Sequence, residues 1–511
     1  MNTAQFFELL KLAGPEALIT LTALAALLVD LMVMHGAPRR ARRGIATLLT
    51  VVGCVAAGLY LVQVPVQATV VGGLFAVDAL TQLVKLGLVG LTGLTAALSF
   101  EADYTDHVGE HFALLLLATV GLMLMASAAD LVLVFLGLEL AGLSLYPLVA
   151  LNKASPRATE AALKYFFFGA LAAAFTLFGF SFLYGLTGTT NLAGIATALH
   201  GRGPDPLLAV AVGMSLVGFG FKVAAVPFHL WAPDAYQGAP TPVAALIASG
   251  SKLAGFFLLG RFVALTLPEA PGANTVGAAP GWVPVVAALA LASMVAGNLA
   301  ALAQRDFKRL LAYSAVAHAG YLLLAVLALS GAVHRAAAFA ALVYYGLTYA
   351  LAGLGAFAAV SHLERRAGDA ALDRLVGLGR RAPWVAGGLA VFLLSLAGLP
   401  PLAGFPAKFY VFAAALESGP AAGMPFWLVV AALGLSPVGF YYYLRVLKLA
   451  WVVPENSTPA SAASEGDPVT VAGRPIETAV TLLAAAGVLL LGVFPEWLLG
   501  PLRAAIQQAG W

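Results

Sequence analysis

Long apolar windows recur from one end of the chain to the other, and the polar residues gather between them rather than alternating through them. Each window meets or exceeds the roughly 20 residues that an α-helix needs to cross a bilayer core. Read against the Gly, Pro and polar breaks, the pattern predicts 14 helices, over 13–34, 44–62, 72–98, 111–127, 129–150, 160–185, 207–230, 241–267, 282–302, 309–330, 336–360, 384–414, 424–450 and 476–500. Only the short stretch SAAD, ending at Asp130, divides the fourth from the fifth. The third and twelfth are long enough to require tilt, a bend or unwound turns. The first has no basic leader and no small-residue cleavage site, so it reads as a retained helix rather than a signal peptide. Residues 454–470, PENSTPASAASEGDPVT, have no apolar period and read as an exposed loop.

Composition agrees with this pattern. The 511 residues are 61% hydrophobic and 10% charged, against about 25% charged in soluble chains. The expected fold is therefore an all-α polytopic membrane protein. Cys54 is the one cysteine and cannot form an internal disulfide. Loops after odd-numbered helices hold 15 basic residues, among them Arg39, Lys153, Arg305, Arg374 and Arg474, whereas the other side holds Lys11, Arg202, Arg335 and Arg503. By the positive-inside tendency the first set is cytoplasmic and both termini face out. The net charge of +3 is uninformative, and the scattered basic loops read as topology signals, not as a nucleic-acid surface.

The remaining basic residues lie in or at the ends of spans. Arg261, Arg445 and Lys448 sit near helix ends, where long side chains can extend to the interface. Lys222, Lys252 and Lys408 lie deeper, and Glu139 is the corresponding acid. A charge at a helix centre costs about 2.5–3.5 kcal/mol on insertion scales, so such groups belong in a paired or hydrated interior. Three amines against one carboxylate cannot all form private ion pairs. Low dielectric favours a neutral amine and a nearby carboxylate favours the charged one, so this set can act as switchable proton sites.

Two helices are interrupted near these lysines. Pro227 breaks the seventh helix after Lys222, and Gly398, Pro400, Pro401, Gly404 and Pro406 interrupt the twelfth before Lys408. The breaks are five helices apart, which predicts two inverted five-helix repeats, helices 4–8 and 9–13, with broken helices 7 and 12. The expected organisation is an N-terminal three-helix segment over 1–110, a first repeat over 111–267, a second over 282–450, and the polar loop with helix 14 over 451–511. Glu160 precedes Lys164 by four residues, a favourable helical pair that also places Lys164 to relay toward Glu139. His229 and His318 are single imidazoles suited to relay or packing. Asp78 and Lys85 share the third span without a clear pairing. No CxxC pair, phosphate loop or dinucleotide fingerprint occurs, so the chain offers no redox or ATP chemistry of its own.

The blocks FKVAAVPFHLWAPDAYQGAPTPVAALIASGSKLAGF (221–256), QRDFKRLLAYSAVAHAGY (304–321), LKYFFFGA (163–170) and LAGLPPLAGFPAKFYVF (396–412) identify a relationship. They resemble the antiporter-like membrane subunits of bacterial proton-pumping NADH:quinone oxidoreductase, respiratory complex I, in the subunit N form. Multisubunit cation/proton antiporters share this wider family. The resemblance implies that Glu139 and Lys222 form a coupling pair, Lys252 is a central relay, Lys408 lies nearer the outward exit, and His318 is a tenth-helix relay. It implies a subunit of the bacterial inner (plasma) membrane, in contact with lipid, protons, internal water and other membrane-arm and peripheral-arm subunits. NADH, FMN, iron–sulfur clusters and quinone would be held by those other subunits, with no cofactor in this chain. An Mrp-type antiporter subunit, or a structural subunit with fixed ion pairs, would use the same residues.

Overall fold

The computed structural model describes residues 11–63, 67–70, 73–201, 205–268, 270, 272, 281–331, 334–367, 369–420, 423–453 and 475–509. The polar loop 454–470, together with Arg202 and Arg474, lies outside the described residues. The fold is all-α and polytopic, with 13 helices among the described residues long and apolar enough to cross a membrane. They are α1 (Gly14–Val33), α2 (Arg39–Gln63), α3 (Ala79–Phe100), α4 (Val108–Ser127), α5 (Leu131–Val149), α6 (Pro156–Thr187), α8 (Pro206–Val223), α10 (Thr241–Thr266), α11 (Trp282–Leu302), α12 (Phe307–Ala328), α13 (Arg335–Ala367), α16 (Met424–Trp451) and α17 (Pro475–Val493). Among the shorter helices are α7 (Leu192–Leu199), α9 (Trp231–Gly238), α14 (Pro383–Ala397), α15 (Gly404–Glu417) and α18 (Glu496–Gln508).

Helices α10, α12 and α13 form the centre. Apolar around most of their circumference, they are buried around most of it, as helices without a polar stripe must be. Helices α1, α2, α16 and α17 leave Leu21, Met32, Leu48, Leu433 and Leu483 exposed, a surface suited to hydrocarbon. Small residues set the closest approaches. Gly121 of α4 lies against the Ala141 backbone of α5, and Gly297 of α11 lies against the Ala317 backbone of α12.

Two predicted boundaries are corrected. A third helix was expected from residue 72, but the chain first makes an antiparallel hairpin, β1 (Gln67–Val70) and β2 (Phe75–Val77), with Gly73 at φ 88° in its turn. Asp78 then starts α3: its backbone is extended and its Oδ1 accepts the Thr81 N–H at 2.6 Å, an N-cap that satisfies a free helix donor. The single helix expected over 476–500 is two, because α17 ends at Val493 and α18 begins beyond Pro495. The SAAD boundary is a true break, with Asp130 accepting the Val132 N–H at 2.8 Å to cap α5.

Arg261 is also corrected. It does not reach out to an interface; it is buried, donating to Thr81 Oγ1 at 2.6 Å and to the Ala126 carbonyl at 3.1 Å, with Asp78 Oδ2 3.3 Å away. Lys85 pairs with Glu16 instead, at 2.6 Å, and both are buried. Asp78, the cap of α3, and Lys85, within it, therefore serve different partners. In α1, Asp30 accepts from Arg42 at 2.6 Å and from the Gly109 N–H at 2.8 Å.

A Cβ at Gly121 would overlap the Ala141 backbone, whereas one at Gly90 meets nothing within 4 Å. Gly121→Ala should therefore destabilise the bundle by about 1–3 kcal/mol, the usual cost of overpacking. Gly90→Ala should leave stability unchanged or slightly raised. Thermal unfolding of the two variants in detergent checks this contrast.

Candidate functional site: two cavities beside amines at membrane depth

Helix α8 stops one residue after Lys222, at Val223. Ala224 takes a left-handed conformation, φ 56°, while the Ala225 and Ala224 N–H groups close back on the carbonyls of Gly220 and Phe221. This is a Schellman ending, with alanine at a position that glycine usually fills. Pro227, three residues on, cannot return a donor to the helix. The freed backbone finds partners elsewhere: Val226 N–H donates to Ser293 Oγ at 2.9 Å, and Trp231 Nε1 donates to the Phe221 carbonyl at 3.2 Å. Trp231 stacks on Tyr165 with ring centres 4.2 Å apart, fixing α9 against α6. Such irregular backbone is tolerable at membrane depth only when protein or water satisfies it.

Lys222, left in the last turn of α8, faces Glu139 of α5 across a narrow crevice that Tyr146, Tyr165 and Thr176 also line. Lys222 is buried, and Glu139 is half-buried. A carboxylate and an amine thus share one small, partly polar space.

The second interruption separates α14 from α15. Gly398 has φ 90°, and the N–H groups of Leu399 and Gly398 close on the carbonyls of Leu394 and Ser395, the same ending as at α8. The carbonyl of Ala397, the last residue of α14, accepts from Lys408 Nζ at 2.9 Å. Lys408 lies 5.1 Å from the Tyr321 ring centre and shares a small cavity with His318, Tyr345, Thr348 and Ser395.

Between the cavities stands Lys252 of α10. Directly before it, Ile247–Ser251 form one wide π turn. Its Nζ donates to the Ala315 carbonyl of α12 and lies 5.7 Å from the Tyr349 ring centre. One helical turn along α12, His318 is hydrogen-bonded to Tyr345 Oη at 2.8 Å through Nδ1 and to Tyr443 Oη at 3.2 Å through Nε2. The aromatic hydroxyls and imidazole thus lie between the Lys252 and Lys408 sites.

The supporting residues divide. Lys164 is within 2.7 Å of Glu160 and also within 2.7 Å of Asp234, and it lines neither cavity. His229, on the connection between α8 and α9, meets the edge of Tyr313 and also lines neither cavity. Asp234 carries no local signal in the sequence, yet it joins Lys164 to Arg309, 2.5 Å away, and so ties α6 and α9 to α12. Its partners are 70 and 75 residues distant in the chain, a separation that no local pattern discloses.

Residues 128–434 match the family described as "NADH:quinone oxidoreductase/Mrp antiporter, TM", a span that includes Glu139, Lys222, Lys252, His318 and Lys408. The chain belongs to that family. A relative named "NADH-quinone oxidoreductase subunit N 2" from Acidobacterium capsulatum is 46% identical, covering 98% of this chain and 100% of its own. One named "NADH-quinone oxidoreductase subunit N" from Nitrosomonas europaea is 37% identical over 97% and 98%. Among solved structures, a chain of respiratory complex I from Thermus thermophilus, bound to aureothin, aligns with TM-score 0.75 and 35% identity over 95% of this chain and 98% of that one. A chain of the Mrp complex from Dietzia sp. shares the fold at TM-score 0.80 and 24% identity, over 98% of this chain and 52% of that one. Family membership makes this a proton-translocating, quinone-linked membrane subunit, and among the described residues no His/Cys/Asp/Glu group could hold a metal ion.

Asp234 lies in α9, outside the long spans. Burial works to raise its carboxyl, but hydrogen bonds from Lys164 and Arg309 outweigh burial and hold it below the usual carboxylate value. Its folded value being the lower, its stabilisation is present above the unfolded value, near 3.9, and is lost as pH falls through the folded one. Asp234→Asn should cost about 1 kcal/mol after solvent screening. Detergent melting curves should show a constant deficit from neutral pH down to about pH 5 and a shrinking one only below about pH 4.

Proposed function

We propose that this chain carries protons across the membrane arm of an NADH:quinone oxidoreductase through Glu139, Lys222, Lys252, His318 and Lys408, with the redox chemistry held by other subunits. The observation that supports this most is the character of the lysines' partners. Lys252 and Lys408 are held by backbone carbonyls and aromatic faces, and neither has an ion-pair partner among the described residues. A structural amine is normally neutralised by a fixed carboxylate, as Lys85 is by Glu16. An amine left without one can gain and release a proton at modest cost, because no partner is stranded when its charge changes. Glu139 supplies the variable charge at Lys222: its approach stabilises the ammonium and its withdrawal favours the neutral amine.

The same reading takes α14 and α15 as one broken span, giving 14 in all, and places both termini outside. It takes α4 to α10 and α11 to α16 as inverted repeats. Three paired features support that division. Asp130 caps α5 and forms an isolated bridge with Asn191, while Asp306 caps α12 and forms one with Ala371. Close glycine contacts join α4 to α5 and α11 to α12. Matching Schellman endings close α8 and α14. The paired lysines do not occupy matching positions, because Lys222 precedes its break and Lys408 follows its own. Lys164 and Glu160 belong to the charged support at the α6 start, and His229 to packing beside the first break. Protons and internal water are the ligands of the site, lipid covers the outer helices, and neighbouring membrane-arm subunits complete the assembly. The oxidoreductase reading is preferred to an Mrp-type one because relatives named as subunit N match almost the whole chain at higher identity.

Glu139→Ala or Lys222→Ala, in the assembled and reconstituted enzyme, should lower proton pumping and coupled quinone reduction by about a hundredfold, the lower end of what a positioned acid or base contributes. Normal assembly with unchanged proton-to-electron ratio and turnover would instead show that the pair only holds helices together.

A further inference from the structure

The helix carrying Lys252 is gripped at both ends by buried charge. At the start of α10, Lys308 Nζ donates to the Ala239 carbonyl at 2.8 Å, to Thr241 Oγ1 at 3.4 Å and to Glu364 Oε1 at 2.9 Å. The Thr241 hydroxyl donates in turn to Glu364 Oε2. Lys308 is 2% exposed and Thr241 4% exposed, so this is an interior knot joining α10 to α12 and α13. Near the other end, Arg261 is held by Thr81, the Ala126 carbonyl and Asp78, which ties α10 to α3 and α4. One turn further along α3, the Lys85–Glu16 pair fastens α3 to α1.

Between these knots α10 has one irregularity, the π turn Ile247–Ser251, and Lys252 follows it at once. A π turn inserts an extra residue into the helix and shifts everything beyond it in rotation and height. With both ends pinned, that shift cannot dissipate by sliding the helix, so it is expressed at the residue next to the turn. The partner surface is equally fixed. Ala315, whose carbonyl receives Lys252, lies on α12, the helix that also supplies Lys308.

We infer that Lys308–Glu364–Thr241 and Asp78–Arg261–Thr81 are two anchors that set the height of Lys252 between the cavities, making Lys308, Thr241, Arg261 and Thr81 positioning residues for proton transfer at Lys252. This rests on the proton-carrying reading above. It also gives the N-terminal helices, which lie outside the family match at 128–434, a part in the transfer: through α3 they hold the far end of α10.

The test uses hydroxyl deletions that preserve shape and leave both ion pairs in place. Thr241→Val and Thr81→Val, each in the complete reconstituted enzyme, should assemble normally. Each should lower proton-coupled turnover by about tenfold, within the range that small misplacements of reacting groups produce, and displace its pH optimum. Thr241→Ser and Thr81→Ser, which restore the hydroxyls, should return both rate and pH profile to wild type. Lys252→Ala is measured alongside. If Lys252→Ala stops pumping while both valine variants keep wild-type turnover and pH profile, the anchors do not position the lysine and the inference falls, with the proton path intact. If Lys252→Ala pumps as wild type, both the path and the anchors are overturned.

Discussion

Hydrocarbon offers a polar group no partner, and the structure is organised by the need to satisfy the backbone and the charges at membrane depth internally. Unpaired backbone groups cost several kcal/mol in hydrocarbon, which confines the chain to helices except where protein closes the gap. The breaks after α8 and α14 obey this constraint. Their carbonyls and N–H groups are taken up by Trp231, Ser293 and Lys408 rather than left open. At the second break a helix end becomes the seat of an amine, so the interruption and the charge stabilise each other.

The same constraint sorts the cations at membrane depth into two kinds. Lys85, Arg261 and Lys308 each meet a carboxylate and stay in helix-to-helix knots. Lys252 and Lys408 meet carbonyls and ring faces beside His318 and its tyrosines. Losing one partner of a buried ion pair costs about 3–5 kcal/mol, so the first kind is rigid. The second kind has no carboxylate to strand among the described residues, so that penalty does not apply to it. Lys222 stands between the two, since its carboxylate faces it across a crevice instead of closing a pair.

Much of this was legible in the sequence because hydrophobicity acts locally. Apolar runs marked the helices, and the rarity of charge drew attention to Lys222, Lys252, Lys408 and Glu139. Pro227 and the run from Gly398 to Pro406 marked the places where helices stop, since a missing donor needs no tertiary context. What escaped depends on register between distant helices. Arg261 looked free to extend outward because its partner Asp78 belongs to α3, and Asp234 gave no signal because Lys164 and Arg309 reach it from other helices. The hairpin before α3 was masked by its own composition: valines, alanine and phenylalanine suit a strand as well as a span. The start of α3 was set by one capping side chain, Asp78, which a hydropathy window averages away.

The central claim is that an amine without a carboxylate releases its proton during turnover. Lys408 is the sharpest place to measure this, because arginine there would keep the positive charge and the donors while its pKa above about 12 prevents release. The measurement is proton pumping by the purified, reconstituted complex carrying Lys408→Arg, followed across pH and normalised to assembled enzyme. A proton carrier predicts that pumping collapses while assembly persists. Wild-type pumping throughout the pH range would contradict the account.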